Sequence, residues 1–464
     1  MVIRRVPEDF LVVERLAFNY ELAVEPGQGA GKFALYKMRK RAMTTPDAIR
    51  AIARELRTTP GRFGYGGLKD RHAMTVQHIT IEIDPAKRRS LPTYVHAAYG
   101  DLAWAEIKFL GTTDRPMTAE AIAANVFRIV IRRCLDADFA MMAERCDRIR
   151  SGRDLLLTNY YGSQRFGSAR HGQGWVARAL LEGDYEQALK LTIASPARKD
   201  SGDTRSMTRM CAEKWGNWQE LVDAINPTVP ERLSLLALAA GKSFAEAYGR
   251  LPGFVRELHV DAFASLLWNS MARRLTLSMD DQATMVEDDF NQIAFATESK
   301  VVEPYRSLQL PHLAAGLELV DPWATAARET LLEHDVDLAK LKIAPVAKHG
   351  KVGAAATVAA VPAEQVAIAA IAAVAAAAGT VPPTVGAATV PVADAVTDNG
   401  EDDGPARQPN FDVFTRSLML KAEQFSAGGA QRDDLTDGNW GKVELSFALP
   451  RGSYATVLLR ALGQ

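Results

Sequence analysis

Gly66-Gly67-Leu68-Lys69-Asp70-Arg71-His72-Ala73-Met74-Thr75-Val76-Gln77, running on into His78-Ile79-Thr80-Ile81-Glu82-Ile83, carries both structure and chemistry in one stretch. Ile79, Ile81 and Ile83 alternate with His78, Thr80 and Glu82, which is the period of a β-strand. The two glycines ahead of that strand let the backbone turn tightly and let a substrate approach. Asp70 with its basic neighbours is therefore expected on a loop held by a sheet, as in an active site. A Lys-Asp-Arg run is equally the composition of a solvated turn, so the rest of the chain has to decide between the two.

Upstream, a helix has readable boundaries: Thr45 as cap, Pro46 in the first helical position, and Ile49, Ile52 and Leu56 at helical spacing. Residues 2–25 read as short strands around a polar loop. The Gly27–Lys32 segment, GQGAGK, resembles a phosphate cradle only superficially. A nucleotide-binding loop of that kind needs a longer spacing and a Ser or Thr after the Lys, and Phe33 stands there instead. It is expected to be a hairpin loop, and no nucleotide cofactor is expected. Downstream, strands are expected over 104–110 and 127–133. In the second, Phe127, Ile129 and Ile131 form an apolar face opposite Arg128, Val130 and Arg132. From about 137 to 345 the pattern turns helical, as in Phe263–Met271, which places a domain boundary near 156. Residues 347–408 are Ala, Val, Pro and Gly with few large apolar side chains, and are expected to form a flexible insertion. Strand pattern returns with Val443, Leu445, Phe447 and Leu449, followed by a closing helix through Val457, Leu458 and Leu459. Strands at both ends with helices between predict an α+β protein, a sheet domain (1–155 and 416–464) split by a mainly helical insertion (156–415).

The 464 residues, 47% hydrophobic and 24% charged, suit a globular chain with more than one core. Net charge is only −1, yet residues 1–150 hold 25 Lys plus Arg and 18 Asp plus Glu. That basic surplus around the Asp70 loop favours a polyanionic partner. Cys134, Cys146 and Cys211 lack metal-ligand spacing and leave one thiol over, which fits a reducing, cytoplasmic setting without disulfides or structural zinc. The N-terminus is too polar for a signal peptide. The longest apolar run, Val366–Ala378, is mostly Ala and shorter than the roughly 20 residues of a spanning helix, so no membrane role is expected.

Five segments far apart share an aromatic beside a polar group: Val6-Pro-Glu-Asp-Phe10, the Asp70 loop, Asn125-Val126-Phe127-Arg128, Asn159-Tyr-Tyr-Gly-Ser-Gln-Arg-Phe-Gly167, and Arg451-Gly-Ser-Tyr454. Each aromatic alone is more simply a core residue. Together they suit RNA, whose bases stack on rings, whose edges amides read, and whose phosphates Arg and Lys hold. In these blocks the chain resembles the TruD family of tRNA pseudouridine synthases. The family's Gly-Lys-Asp-basic pair-Ala-Thr-Gln pattern is similar to Gly67–Gln77, and its NYFG-x-QRFG block is similar to NYYGSQRFG. Phe10 matches its EDF aromatic, Asn125 and Phe127 its Asn-x-Phe pair, and Tyr454 the aromatic of its Gly-Ser-aromatic-Ala-Thr block. The departures are Gly29-Ala30-Gly31-Lys32, where the family commonly has Gly-x-Gly-Glu-His, Tyr454 in place of a Phe found in some members, and the 347–408 insertion.

The resemblance implies isomerisation of a uridine, most simply position 13 of tRNA, to pseudouridine, with no cofactor and no metal. It implies Asp70 as the catalytic carboxylate, attacking sugar or base or removing a sugar proton. Lys69 or Arg71 would keep that carboxylate ionised, and Lys69 could equally bind phosphate. Phe10, Phe127 and Tyr454 are expected to stack on the flipped nucleotide and Asn125 to read the uracil edge. Gln164 and Arg165 are expected either to brace the domain junction or to hold RNA phosphate. The partner is tRNA and the chain is expected to act as a monomer. The rival is a non-catalytic RNA-binding or RNA-folding protein, or a synthase acting on another RNA position.

Overall fold

The computed structural model describes residues 1–26, 29–84, 91–100, 102–197, 200, 202–226, 229–288, 290–343 and 410–464. The expected insertion at 347–408 lies outside them. Alternating strands from both ends of the sequence merge into one large mixed sheet, in the order Arg150–Ser151, Asp154–Thr158, Met419–Ala427, Gly441–Pro450, Ile122–Cys134, Phe10–Leu16, Met74–Glu82, Phe33–Arg41, Ala103–Thr113, Glu25–Pro26. Neighbours along this path are antiparallel except Phe10–Leu16 and Met74–Glu82, which run parallel with Val12 beside Thr75. Phe10–Leu16 in turn pairs antiparallel with Ile122–Cys134, setting Val12 opposite Phe127 and Glu14 opposite Asn125. The next strand places Phe447 opposite Phe127 and Leu449 opposite Asn125. Because side chains alternate between faces, this register puts Phe10, Val12, Glu14, Asn125, Phe127, Ile129, Phe447 and Leu449 on one side of the sheet.

That side is covered in two halves. Over one half packs the helix Thr45–Glu55, whose Ala48, Ile49, Ala51 and Ile52 meet Tyr36, Met38, Ile79, Ile81 and Ile107 in a buried core. The helix is where its sequence places it, with one correction: the cap is Thr44, whose hydroxyl accepts from the Asp47 amide at 3.2 Å. Thr45 is the first helical residue and is buried, free for other work. Over the other half, a larger core joins Phe10, Phe127 and Phe447 to the helical region, whose longest element is Gly253–Met279. This helix buries residues all around its circumference, including Phe263, Leu267, Trp268 and Met271, as a helix enclosed by other elements must.

Three further expectations change. Phe18–Glu21 is a helical turn inside what reads as strand and loop. The strand Asp154–Thr158 belongs to the main sheet, pairing Leu157 with Leu420, and it crosses the boundary expected near 156. Arg132, assigned by alternation to a basic solvent face, is buried. Its guanidinium donates to both oxygens of Asp9 at 2.9 Å, and to Asp433 and Asp434 at 2.7 Å each. One arginine thus ties the N-terminal segment to the C-terminal one through the centre of the sheet. In the Gly27–Lys32 segment, a Cβ on Gly31 would stand 2.5 Å from the Thr113 amide nitrogen. Close backbone contact accounts for that glycine without a phosphate.

Candidate active site

The Asp70 loop leaves the short strand Phe63–Tyr65 and enters Met74–Glu82. Its two glycines serve different ends. A Cβ at Gly66 would collide with Ile122 at 2.6 Å, whereas Gly67 adopts a φ of +152°, which other residues rarely take. Three side chains then fix the loop. The Thr45 hydroxyl accepts from the Lys69 amide at 2.9 Å and donates to Gln77 Oε1 at 2.9 Å, while Gln77 Nε2 donates to the Gly67 carbonyl at 3.3 Å. Lys40, fully buried, donates from Nζ to the carbonyls of Asp70 and Met43, each at 2.7 Å. Helix, strand and loop therefore converge on one residue.

The Asp70 carboxylate is itself buried, 3% exposed. Oδ1 accepts from the His72 amide at 2.9 Å, and Oδ2 lies 3.3 Å from Arg4 Nε. Arg4 reaches it from a left-handed backbone conformation, φ 61°, with its guanidinium 4.3 Å above the Phe10 ring. Burial pushes the Asp70 carboxyl above the ordinary range, and Arg4, the His72 amide and Lys40 oppose that push. Burial likewise lowers Lys40 to about 7. The cation expected from neighbouring sequence is not the one found. Lys69 turns to Glu14, Nζ to Oε1 at 2.5 Å with both side chains buried, and Glu14 also accepts from the His78 amide at 2.8 Å. Arg4, sixty-six positions upstream, takes the place expected of Lys69 or Arg71.

Phe10, Lys69, Asp70, Asn125 and Phe127 come together around this sheet face. Phe127, 1% exposed, has the Phe447 ring stacked on it at 5.4 Å and the edge of Phe10 at 6.1 Å. Asn125 is buried with its Oδ1 lacking a hydrogen-bond partner, an arrangement that costs stability and leaves an acceptor for a ligand. Tyr454 begins just beyond the strand that carries Phe447 and Leu449, and it belongs to an adjoining cavity of about 760 Å³ lined also by Tyr161, Arg165, Asp261 and Arg416. Its hydroxyl is buried without a partner, and burial raises it to about 12. Asp70, Asn125 and Phe127 do not line that cavity. Arg165 pairs with Asp261 at 2.8 Å and donates to Ser265 at 3.2 Å, both on the long helix. Gln164 lies beside it in the 3₁₀ segment Ser163–Gly172. Motif reading missed Arg4, Lys40, Glu14 and Arg416. Only the Glu14 and Lys40 positions carried a signal, as charged residues in otherwise apolar strand faces.

A family model described as tRNA pseudouridine synthase D (TruD) matches residues 1–308. Over 334 residues the chain is 26% identical to "Probable tRNA pseudouridine synthase D 1" of Methanococcus maripaludis, covering 69% of this chain and 79% of that protein. It is 30% identical to tRNA pseudouridine synthase D of Aquifex aeolicus over 58% of this chain and 64% of the relative. It is 21% identical to that of Leptospira interrogans serovar copenhageni over 99% and 95%. A crystal structure of a TruD-type protein from Methanosarcina mazei shares the fold, with a TM-score of 0.59 at 20% identity, covering 99% of this chain and 92% of that one. With the motif blocks in place and the family model spanning well over half the sequence, the chain belongs to the TruD family of tRNA pseudouridine synthases.

Proposed function

We propose that this chain isomerises the uridine at position 13 of tRNA to pseudouridine, with Asp70 as the carboxylate at the reacting sugar or base. As a TruD-family enzyme it is an isomerase acting on a tRNA uridine. The C1′–N1 bond breaks, a C1′–C5 bond forms, C5 gives up a proton and N1 gains one, so the reaction balances without an added reactant. The observation that carries Asp70 is its setting. It is a buried carboxylate on a loop fixed by Thr45, Gln77 and Lys40, with Arg4 3.3 Å from one oxygen to favour its charged form, in which it can attack or take a proton. Phe10, Phe127 and Asn125 would meet the flipped nucleotide on the same sheet face, and Tyr454 from its adjoining cavity. Opening the site to a base requires Phe127 to exchange part of its packing against Phe10 for stacking on uracil, a contact of about 1–3 kcal/mol. Lys69, committed to Glu14, would act by holding the loop and not by touching phosphate. The basic N-terminal half supplies the attraction for tRNA. The three free cysteines, all buried, agree with a reducing cytoplasm. Among the described residues no helix is long and apolar enough to cross a membrane.

The test is to incubate transcribed tRNA with the parent and with Asp70→Asn and to map pseudouridine by position. Product at position 13 from the parent alone is expected. Product elsewhere would move the site of action, and product from a verified Asp70→Asn protein at near the parental rate would move the chemistry to another residue.

A further inference from the structure

We propose that the cavity beside Tyr454 seats a phosphodiester of the RNA strand next to the target uridine, with the Arg416 guanidinium as its charge partner and the Tyr454 hydroxyl as a hydrogen-bond donor. This rests on the isomerase reading above and adds an anchoring point to it. Three observations carry it.

First, Arg416 has no carboxylate at ion-pair distance among the described residues. Nε donates to the Asn159 carbonyl at 2.9 Å, one terminal nitrogen to Asn159 Oδ1 at 2.7 Å, and the other to the Gly452 carbonyl at 2.8 Å. All three acceptors are neutral. These bonds hold the guanidinium in place and leave its charge without a carboxylate partner among the described residues. The guanidinium carbon lies 4.2 Å over the centroid of the Tyr161 ring.

Second, the cavity is positive and its one acid is spent. Five cationic side chains line it against one carboxylate, Asp261, which pairs with Arg165 at 2.8 Å; Arg306 pairs with Glu303 at 2.9 Å and Lys421 with Asp154 at 2.8 Å, which leaves Arg416 and Arg451. Arg451 is tied only loosely, 3.7 Å from Glu120. A uracil ring is neutral and would leave the Arg416 charge unanswered, whereas a phosphodiester answers it.

Third, the Tyr454 hydroxyl is buried in the cavity wall with no hydrogen-bond partner among the described residues, a cost that a bound acceptor removes. Tyr454 follows directly on the strand whose Phe447 and Leu449 stand opposite Phe127 and Asn125. A nucleotide placed at Asp70 would therefore pass its flanking backbone toward this cavity.

Tyr454→Phe removes one oxygen that makes no hydrogen bond, so the variant should melt at the parental temperature or slightly above it. The assay uses transcribed tRNA with a mapped target uridine, unmodified or carrying a single neutral methylphosphonate at the phosphate 5′ or 3′ to it. With the parent, one of the two neutral linkages should lower kcat/KM about tenfold or more, as loss of a charge-assisted hydrogen bond does. Tyr454→Phe should be slowed on unmodified tRNA and should lose less than the parent on that same linkage, because Arg416 is then the one of the two partners still in place. The proposal is overturned if Tyr454→Phe matches the parent on unmodified tRNA, or if every neutral linkage slows parent and variant by the same factor. A fall of several degrees in the melt would make the hydroxyl structural and overturn it too. If inorganic phosphate alone raises the melting temperature of the parent but not of Tyr454→Phe while neither linkage matters, the seat belongs to a free anion and the proposal again falls. Absence of product from the parent on unmodified tRNA would instead defeat the isomerase reading itself.

Discussion

At the scale of single residues, the Asp70 site is a balance between burial and charge. Burial holds the carboxyl above its ordinary range, so it binds its proton at pH values where a solvated aspartate has lost it. The linkage sign follows: the stability tied to this group is fully present below the ordinary carboxylate range and is lost as pH rises through the raised value. The fold thus works against the ionised form that the proposed role needs, and Arg4, 3.3 Å away, is the chief charge opposing that tendency. Arg4→Gln should therefore move the acid limb of the kcat/KM profile to higher pH while Asp70 remains in place; a limb that does not move would remove Arg4 from the ionisation of Asp70. Asp70 was legible in sequence because glycines, a basic pair and a strand pattern surround it. Arg4 was not, because nothing in local spacing says that a residue before the first long strand returns over the loop. Lys69 misled for the complementary reason: adjacent side chains on an extended backbone diverge, and this one diverges to Glu14.

At the scale of elements, the helix Thr45–Glu55 both covers the sheet and holds the Asp70 loop, through Thr45 in its first turn. The cap and the loop contact are made by consecutive threonines, and this separates stability from function. Thr44→Ala removes the γ-methyl and the hydroxyl that accepts from the Asp47 amide and donates to its carboxylate, touches no bond of the Asp70 loop, and should cost about 1 kcal/mol in a denaturant melt with turnover preserved. Thr45→Val keeps the shape but breaks the bonds to Lys69 and Gln77. It should slow turnover far more than Thr44→Ala does, and equal effects of the two would mean that the loop is positioned by other contacts. Sequence pattern located this helix well because Pro46 and the Ile49, Ile52, Leu56 spacing are local signals. It mistook which threonine caps, since a one-residue choice depends on backbone angles that composition does not encode.

At the scale of the whole molecule, the sheet is closed from both ends of the chain, and Arg132 is the lock. It meets Asp9, Asp433 and Asp434 at once, so Arg132→Met would strand the buried Asp9 and Asp433 carboxylates and should cost roughly 3–5 kcal/mol, read as an early thermal or urea transition. Alternation in Val443–Leu449 announced a returning strand, but not that its neighbour would be Ile122–Cys134, because pairing over such a separation has no local mark. The same view bears on residues 344–409. The Ile343 amide donates to Asn410 Oδ1 at 3.1 Å, so the chain leaves the described body and rejoins it at one point. A short connection can span that gap, and the entropy of closing a loop changes only slowly with its length, about 0.6 kcal/mol per doubling. The composition of 347–408, almost without aromatic residues and with 3 Lys plus Arg against 6 Asp plus Glu, three of them at Glu401-Asp402-Asp403, offers little to bury and a net negative charge that does not favour phosphate. Replacing 344–409 by a short Gly/Ser loop should therefore leave the melting temperature within a few degrees of the parent and single-turnover modification of tRNA nearly unchanged. Loss of most activity with the melt preserved would give the segment a part in binding RNA, and loss of many degrees would show that it packs on the body.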